Sequence, residues 1–205
     1  MQERRIAFDD ERVRAILDGR KTQDRSPLRS WQGGDWRIGG LERRHAFGVV
    51  TYQKTPAGQI EIFFPCPYGD RRDLLWVQEA WDMSEDGSTV SYRADGDMPF
   101  NDEGRWRSPM HMPRWASRIT LEIVGAWLEP LHAISDENAC REGVTMEQAE
   151  EFGHDRPQPT GVFRDLWEAE RGPGSWERNP WVWVVEFKVI LQNVDTVLGK
   201  DREVA

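Results

Sequence analysis

Strand-like segments fill the first part of this sequence, and a last one follows a group of helical segments near the C-terminal end. The clearest is residues 118–128, where apolar and polar side chains alternate as in a half-buried strand. Residues 74–81 predict a central strand, residues 46–52 and 59–64 a hairpin, and residues 181–189 the final strand. This order predicts an α+β fold whose mixed or antiparallel sheet closes into a barrel, with helices inserted before the last strand.

The length of the chain favours one domain, because 205 residues are near the upper limit for a single hydrophobic core. We predict this domain over residues 1–191 and a polar, loosely held tail over residues 192–205. Residues 22–45 are rich in Gly, Arg and Trp, have more basic than acidic side chains and show no periodicity. They predict a long basic loop.

Helix boundaries are marked by capping residues. The first helix is expected to begin after Asp9 or Asp10 and to end at Gly19. The next is expected to start at Ser135 and end at Gly143. Two more starts are predicted at a capping box formed by Thr145 and Gln148 and at Thr160.

Charge and composition narrow the classes of function. With 27 basic and 36 acidic residues, the formal net charge is −9, which disfavours non-specific attraction to a phosphate backbone. No apolar stretch reaches the length of about 18 residues that a membrane-spanning helix needs, so we expect a cytoplasmic protein without a membrane partner. Two cysteines and four scattered histidines predict neither a disulfide framework nor a metal site, and we expect no cofactor.

The common signatures of nucleotide-binding, metal-dependent and hydrolytic enzymes, such as GxxxxGK[ST], GxGxxG, HExxH, CxxC and GxSxG, do not occur. Two short motifs remain as candidates for chemistry. Lys21 and Thr22 follow the predicted end of the first helix, and Glu142 precedes Gly143 at the end of another. Lysines and glutamates at helix ends are mostly exposed and solvated, which is the alternative interpretation.

Several segments resemble the ASCH family (activating signal cointegrator homology), a branch of the PUA-like β-barrels, and most of all its phage and prophage members. The resemblance is carried by Leu-Asp-Gly-Arg-Lys-Thr at 17–22, Leu-Trp-Val-Gln-Glu-Ala-Trp at 75–81, His-Met-Pro-Arg-Trp within 111–119, and residues 139–143 and 179–187. It spans nearly the whole chain in the same order. It implies a small curved barrel with a cleft for RNA or a modified base.

In some small bacterial members of this family, a Lys, a Thr and a Glu hydrolyse the amide of N4-acetylcytidine. The resemblance places that lysine at Lys21 and that glutamate at Glu142, whereas the threonine position is occupied by Asp24. Lys21, Asp24 and Glu142 are therefore the candidate catalytic residues. We predict that they approach one another across a cleft.

Asp24 changes the expected chemistry, because a carboxylate has no hydroxyl to act as a nucleophile and a nearby carboxylate favours protonated lysine by raising its pKa. A lysine general base is therefore disfavoured. Either Thr22 or Ser26 supplies the hydroxyl, or Glu142 activates a water while Lys21 stabilises the oxyanion.

Aromatic and basic residues provide candidates for ligand binding. Two segments, residues 25–44 and 105–118, interleave Arg with Trp, and we expect them to flank one cleft mouth, where Arg contacts phosphates and Trp stacks on a base. Ordinary packing is the alternative for each Trp, above all for Trp76 on a predicted strand. The candidate binding residues are Thr22, Arg25, Trp36, Trp76, Glu79, His111, Arg114 and Trp115.

Three functions fit these observations. The first is an ASCH-like domain that binds RNA or a modified nucleoside in a Lys- and Glu-lined cleft, with hydrolysis as an open extension. The second is an amidohydrolase acting on N4-acylated cytidine, for which an acidic protein is well suited because no long phosphate backbone must be attracted. The third is a phage accessory protein that binds a host protein through exposed Trp and Arg. Incubation of the pure protein with acetylated cytidine, and separately with short RNAs, distinguishes the enzyme from the binder.

Overall fold

The computed structural model of the chain describes residues 1–28, 48–55, 58–151 and 158–203. These ranges form a mixed α+β fold, as the order of segments predicts. The strands are β1 (Glu3–Ala7), β2 (Gln23–Pro27), β3 (Gly48–Thr55), β4 (Gly58–Pro65), β5 (Leu74–Gln78), β6 (Trp81–Met83), β7 (Val90–Tyr92), β8 (Thr120–Pro130) and β9 (Trp181–Ile190). The helices are α1 (Asp10–Leu17), α2 (Asp136–Arg141), α3 (Met146–Glu151), α4 (Pro159–Arg171) and α5 (Val194–Glu203). None of the helices in these ranges has the length and apolarity to cross a membrane.

The main sheet has the strand order β1-β5-β8-β9-β2. β1 and β5 are parallel and the other three pairs are antiparallel, so the sheet is mixed. β1 and β2 form opposite edges, and among the described strands they are not joined to each other. The expectation of a closed barrel is therefore not met by these strands, because β2 pairs with β9 alone and the following strand, β3, pairs with β4.

Two smaller antiparallel sheets accompany the main sheet. The predicted hairpin is confirmed as β3 and β4, which pair over Gly48–Thr55 and Gly58–Pro65. The predicted strand over residues 74–81 is divided, because β5 ends at Gln78 and β6 begins at Trp81 in a separate pairing with β7. β5 lies between β1 and β8, so its central position is confirmed.

β9 places apolar side chains on both faces of the main sheet. On one face, Val185 and Phe187 join a core with α1, β5 and β8 that includes Phe8, Val13, Ile16, Leu75, Val77, Ile119, Leu121 and Ile123. On the other face, Val182 and Val184 pack with residues of α2 and α4, including Ala139, Val162, Phe163 and Trp167. Successive side chains of β9 point to opposite faces of the sheet, so β9 packs against α1 on one face and against α2 and α4 on the other.

The predicted loop over residues 22–45 is wrong for its first part, because residues 23–27 form β2. Asp24 lies opposite Val185 and Arg25 opposite Val184 in the pairing with β9. The polar side chains that suggested a loop are buried and bonded to other charged groups inside the protein. The rest of the predicted loop, from residue 29 onward, lies outside the described residues.

Most of the predicted loosely held tail is helical, because residues 194–203 form α5. The Asn193 side chain accepts a hydrogen bond from the Asp195 amide at 2.8 Å, which starts the helix. The same side chain donates to the carbonyls of Arg114 and Ser117 at 2.9 and 2.7 Å. Val194 is fully buried. One amide side chain and one apolar side chain therefore hold the start of this segment on the domain.

Candidate functional site

The end of α1 directs Lys21 into the protein. Asp9 caps the helix by accepting a hydrogen bond from the Arg12 amide at 2.9 Å. At the other end, Gly19 has a φ of 72°, a left-handed conformation that suits glycine. The amides of Arg20 and Lys21 then both donate to the Ala15 carbonyl, at 2.8 and 2.9 Å, and the chain turns back. Lys21 is 1% exposed.

The Lys21 ammonium group lies between two carboxylates. It donates hydrogen bonds to Glu142 Oε2 at 2.8 Å and to the Gln23 carbonyl at 2.7 Å, and it lies 3.0 Å from Asp24 Oδ1. The predicted approach of Lys21, Asp24 and Glu142 is confirmed, although Lys21 and Glu142 are 121 positions apart. The Glu142 carbonyl is a third acceptor at 3.3 Å, so the ammonium group is fully satisfied.

Gly143 allows the ends of α1 and α2 to meet. α2 is capped by Ser135, as predicted, and ends with Glu142 as its C-cap residue. Gly143 follows with a φ of 97°, and a Cβ atom there would lie 2.7 Å from Ala15 Cβ and 3.2 Å from Lys21 Cβ. Such distances leave no room for a larger residue. The Glu142 carboxylate therefore reaches Lys21 because glycine follows it.

Arg25 is an internal partner of two carboxylates. Its Nη1 donates to Glu142 Oε1 at 2.7 Å and its Nη2 to Glu129 Oε1 at 2.7 Å, while the side chain is 0% exposed. Glu129 also accepts from Trp127 Nε1 at 2.8 Å. Arg25 is thus not the exposed phosphate ligand that the sequence predicts, because its positive charge is used within the site. The two oxygens of Glu142 each accept from a different cation.

Lys21 is held in its charged form. Burial lowers the pKa of Lys21, but the negative charges of Glu142 and Asp24 and the hydrogen bond to Glu142 outweigh burial and hold the pKa above its ordinary value. A lysine that stays protonated cannot accept a proton from a substrate. The raised pKa of Lys21 agrees with the effect that the sequence predicts for a carboxylate at Asp24. Lys21 therefore orients two carboxylates and supplies a fixed positive charge.

A small pocket lies beside this cluster, between α1, β2 and α4. Its volume is about 60 Å³, and its polar floor includes Asp24, Arg25 and Glu142. Phe163 and Trp167 provide an aromatic wall, and the other lining residues are Glu11, Arg12, Ala15, Gly143, Val144, Gln148, Leu166 and Glu170. A cavity needs about 10–15 Å³ of such space to hold one water, so the pocket has room for a few waters or for the edge of a small planar group.

Four residues of the site carry no signal in the sequence that marks them as functional: Arg12, Glu129, Trp167 and Glu170. Arg12 and Glu170 form an ion pair across the rim of the pocket although they are 158 positions apart. No local pattern links such positions, because the contact arises from the packing of α1 near α4. For Trp167, the apolar periodicity predicts a buried helix face but not a pocket wall.

The other predicted binding residues do not line this pocket in the described part of the chain. Thr22 lies next to the cluster, where its amide donates to the Arg141 carbonyl and its carbonyl accepts from Phe187. Glu79 is buried and accepts two hydrogen bonds of 2.9 Å from Arg118. Trp76 is half-buried on β5, His111 is exposed, and Trp36 lies outside the described residues.

The arginines of residues 105–118 pair with carboxylates and do not form a free basic patch. Arg107 pairs with Asp82, and Arg114 pairs with Glu3 and Asp195 at 2.6 and 2.7 Å. Trp115 is 55% exposed and packs edge-on against Trp81, with ring centroids 6.1 Å apart.

This segment also lies away from the pocket along the main sheet. Residues 114–117 contact Asn193, beyond the end of β9, whereas Arg25 pairs with Val184 six positions before Ile190 at that end. Six strand residues span about 20 Å. The expectation that both Arg- and Trp-rich segments flank one cleft mouth is therefore wrong for Arg25 and residues 105–118, the parts that the structure describes.

Comparison of the chain with models of known protein families, with the sequences of characterised proteins and with solved structures gave no match. Within the described ranges, no group of three or more His, Cys, Asp or Glu side chains is placed to hold a metal ion. The Lys21 cluster and its pocket are therefore the features from which a function can be inferred.

Proposed function

We propose that the pocket binds a nucleobase-like group, as part of a nucleoside or of RNA. One observation carries the proposal: buried Lys21 holds the carboxylates of Asp24 and Glu142 at the floor of a pocket whose wall is aromatic. Carboxylate oxygens accept hydrogen bonds from the N–H groups at the edge of a base, and aromatic side chains pack against its face.

The charge of the pocket supports a base over a phosphate. Glu11, Asp24, Glu142 and Glu170 line it, against two guanidinium groups, those of Arg12 and Arg25. Both guanidinium groups are paired with carboxylates of the protein. A phosphate therefore meets an excess of negative charge, whereas a neutral group with N–H donors meets acceptors. The formal net charge of −9 acts in the same direction at longer range.

Membership of the ASCH family and its PUA-like fold belong to this proposal. The meeting of Lys21 with Glu142 supports them, because the resemblance makes these two residues partners in one site. The close fit of Gly143 against Ala15 and Lys21 supports them too, since it explains why glycine follows the glutamate.

Binding is favoured over amide hydrolysis. Lys21 is protonated and satisfied, so the lysine general base of the related amidohydrolases is absent from this site. Asp24 offers no hydroxyl at the position of the family threonine. The carboxylates of Asp24 and Glu142 are left to activate a water. A hydrolytic function is assigned to the pocket only if the protein also cleaves the amide of a ligand that it binds.

Calorimetric titration with the common nucleosides and N4-acetylcytidine tests the proposal. We expect the wild type to bind at least one of them and Asp24→Asn to weaken that binding by about tenfold or more, because a charge-assisted hydrogen bond is lost. Glu122→Gln, which removes a carboxylate on β8 outside the pocket lining, is the matched control and should bind as the wild type does.

The outcomes separate the candidate functions. Absence of nucleoside binding by the wild type contradicts the proposal. Equal weakening in Asp24→Asn and Glu122→Gln places the ligand elsewhere. Release of acetate from N4-acetylcytidine by the wild type assigns a hydrolase, and release only by Asp24→Thr indicates a site that binds but lacks the hydroxyl for the chemistry.

A further inference from the structure

Arg12 and Glu170 face each other across the rim of the pocket. Arg12 Nη1 donates to Glu170 Oε1 at 3.1 Å, and Nη2 donates to Oε2, so the pair is bidentate. The two side chains are 32% and 38% exposed, and both line the pocket. Arg12 comes from α1 and Glu170 from α4, so the pair connects two walls of the site.

The bidentate geometry of this pair affects which ligands the pocket can accept. The planar guanidinium group of an arginine binds a carboxylate or a phosphate through the same two parallel N–H donors. Glu170 occupies these donors on Arg12. A phosphate group entering the pocket would have to displace a carboxylate that remains beside it. The two donors with which Arg12 would bind a phosphate are therefore occupied by the protein itself.

The ionisation of Glu170 keeps the pair intact at neutral pH. Burial raises the pKa of Glu170, but the hydrogen bond and positive charge of Arg12 outweigh burial and hold the pKa below its ordinary value. The positive charge of Arg171 adds to this effect. Glu170 is thus a carboxylate, and not a carboxylic acid, when a ligand approaches.

We infer that Glu170 is a specificity residue that makes the pocket reject phosphorylated ligands by occupying Arg12. The ligand class is then an unphosphorylated nucleoside or an internal base whose phosphates stay outside the pocket. This inference rests on the proposed function, because it concerns which form of a nucleoside the same pocket accepts.

Titrations of the common nucleosides and their 5′-monophosphates test the inference. We expect the wild type to bind a nucleoside more tightly than its monophosphate. In Glu170→Gln, the affinity for the monophosphate should rise about tenfold or more relative to the affinity for the nucleoside. Glu11→Gln is the matched control, because it removes one negative charge from the pocket lining without touching the Arg12 pair.

A second variant shows whether Arg12 is the group that is released. In the double variant Arg12→Met with Glu170→Gln, the gain in monophosphate affinity should disappear. An equal gain in Glu11→Gln and Glu170→Gln, or no gain in Glu170→Gln, overturns the inference and leaves the proposed function standing. If the wild type binds the monophosphate but not the nucleoside, both are overturned. Melting temperatures confirm that each variant is folded.

Discussion

The Lys21→Met variant should lose about 3–5 kcal/mol of unfolding free energy, because the substitution leaves the carboxylates of Asp24 and Glu142 in the interior without their shared ammonium group. Methionine is unbranched and only one atom shorter than lysine, so the loss of unfolding free energy reports charge and hydrogen bonds more than packing. Urea denaturation at neutral pH measures it. Lys188→Met, which replaces an exposed lysine of β9, is the matched control and should change stability by less than about 0.5 kcal/mol.

The pH dependence of this loss separates a structural cation from a general base. The folded pKa of Lys21 is raised, so its contribution is fully present below the unfolded pKa of 10.5 and is lost only as the pH rises through the folded value. The difference between wild type and Lys21→Met should therefore stay constant from about pH 7 to about pH 10. A difference that falls within this range would show that Lys21 titrates there, as a general base must.

The Gly143→Ala variant should lose about 2–5 kcal/mol of unfolding free energy. Its Cβ would lie 2.7 Å from Ala15 Cβ, and its φ of 97° is left-handed. A left-handed conformation costs a non-glycine residue about 1–2 kcal/mol, and forced overlap in a packed region adds about 1–3 kcal/mol. Gly96→Ala is the matched control, because Gly96 is left-handed with a φ of 81° and a ψ of 12° and a methyl group there would meet nothing within 4 Å.

Gly96→Ala should therefore lose only the conformational cost of about 1–2 kcal/mol. Chemical denaturation of both variants gives the comparison. Gly143→Ala should also cost less in an Ala15→Gly background than in the wild type, because the clashing methyl group is gone. Equal losses for Gly143→Ala and Gly96→Ala would contradict the close contact between α1 and the end of α2.

Much of the fold follows from local signals. The caps at Asp9 and Ser135 start α1 and α2, and the Thr145 side chain and Gln148 side chain bond each other's amides as a capping box predicts. The alternation of apolar and polar side chains predicts β8 and β9. The turn residues between the segments of β3 and β4 predict the hairpin that these two strands form. These features depend on residues close in sequence, which is why a single sequence reveals them.

The errors arise where distant residues change the meaning of a local pattern. The polar sequence of β2 resembles that of a loop. Asp24 and Arg25 are nevertheless accommodated in a buried strand, because each pairs with a charged residue outside β2. α5 is short of apolar residues and depends on Asn193, whose partners are carbonyls of residues 114–117. For the site, the resemblance brought Lys21 and Glu142 together, whereas the roles of Arg12 and Glu170 required the packing of two helices.

The central claim is that a nucleobase enters the pocket beside the Lys21 cluster. The most direct test is nuclear magnetic resonance of the indole N–H groups during titration with the nucleoside that binds most tightly. Trp167 lines the pocket, and Trp115 lies at the other end of the sheet, exposed to solvent. The claim predicts a saturable shift of the Trp167 signal and of the Gln148 side-chain amide, with Trp115 unchanged. A shift of Trp115 with Trp167 and Gln148 unchanged would contradict it.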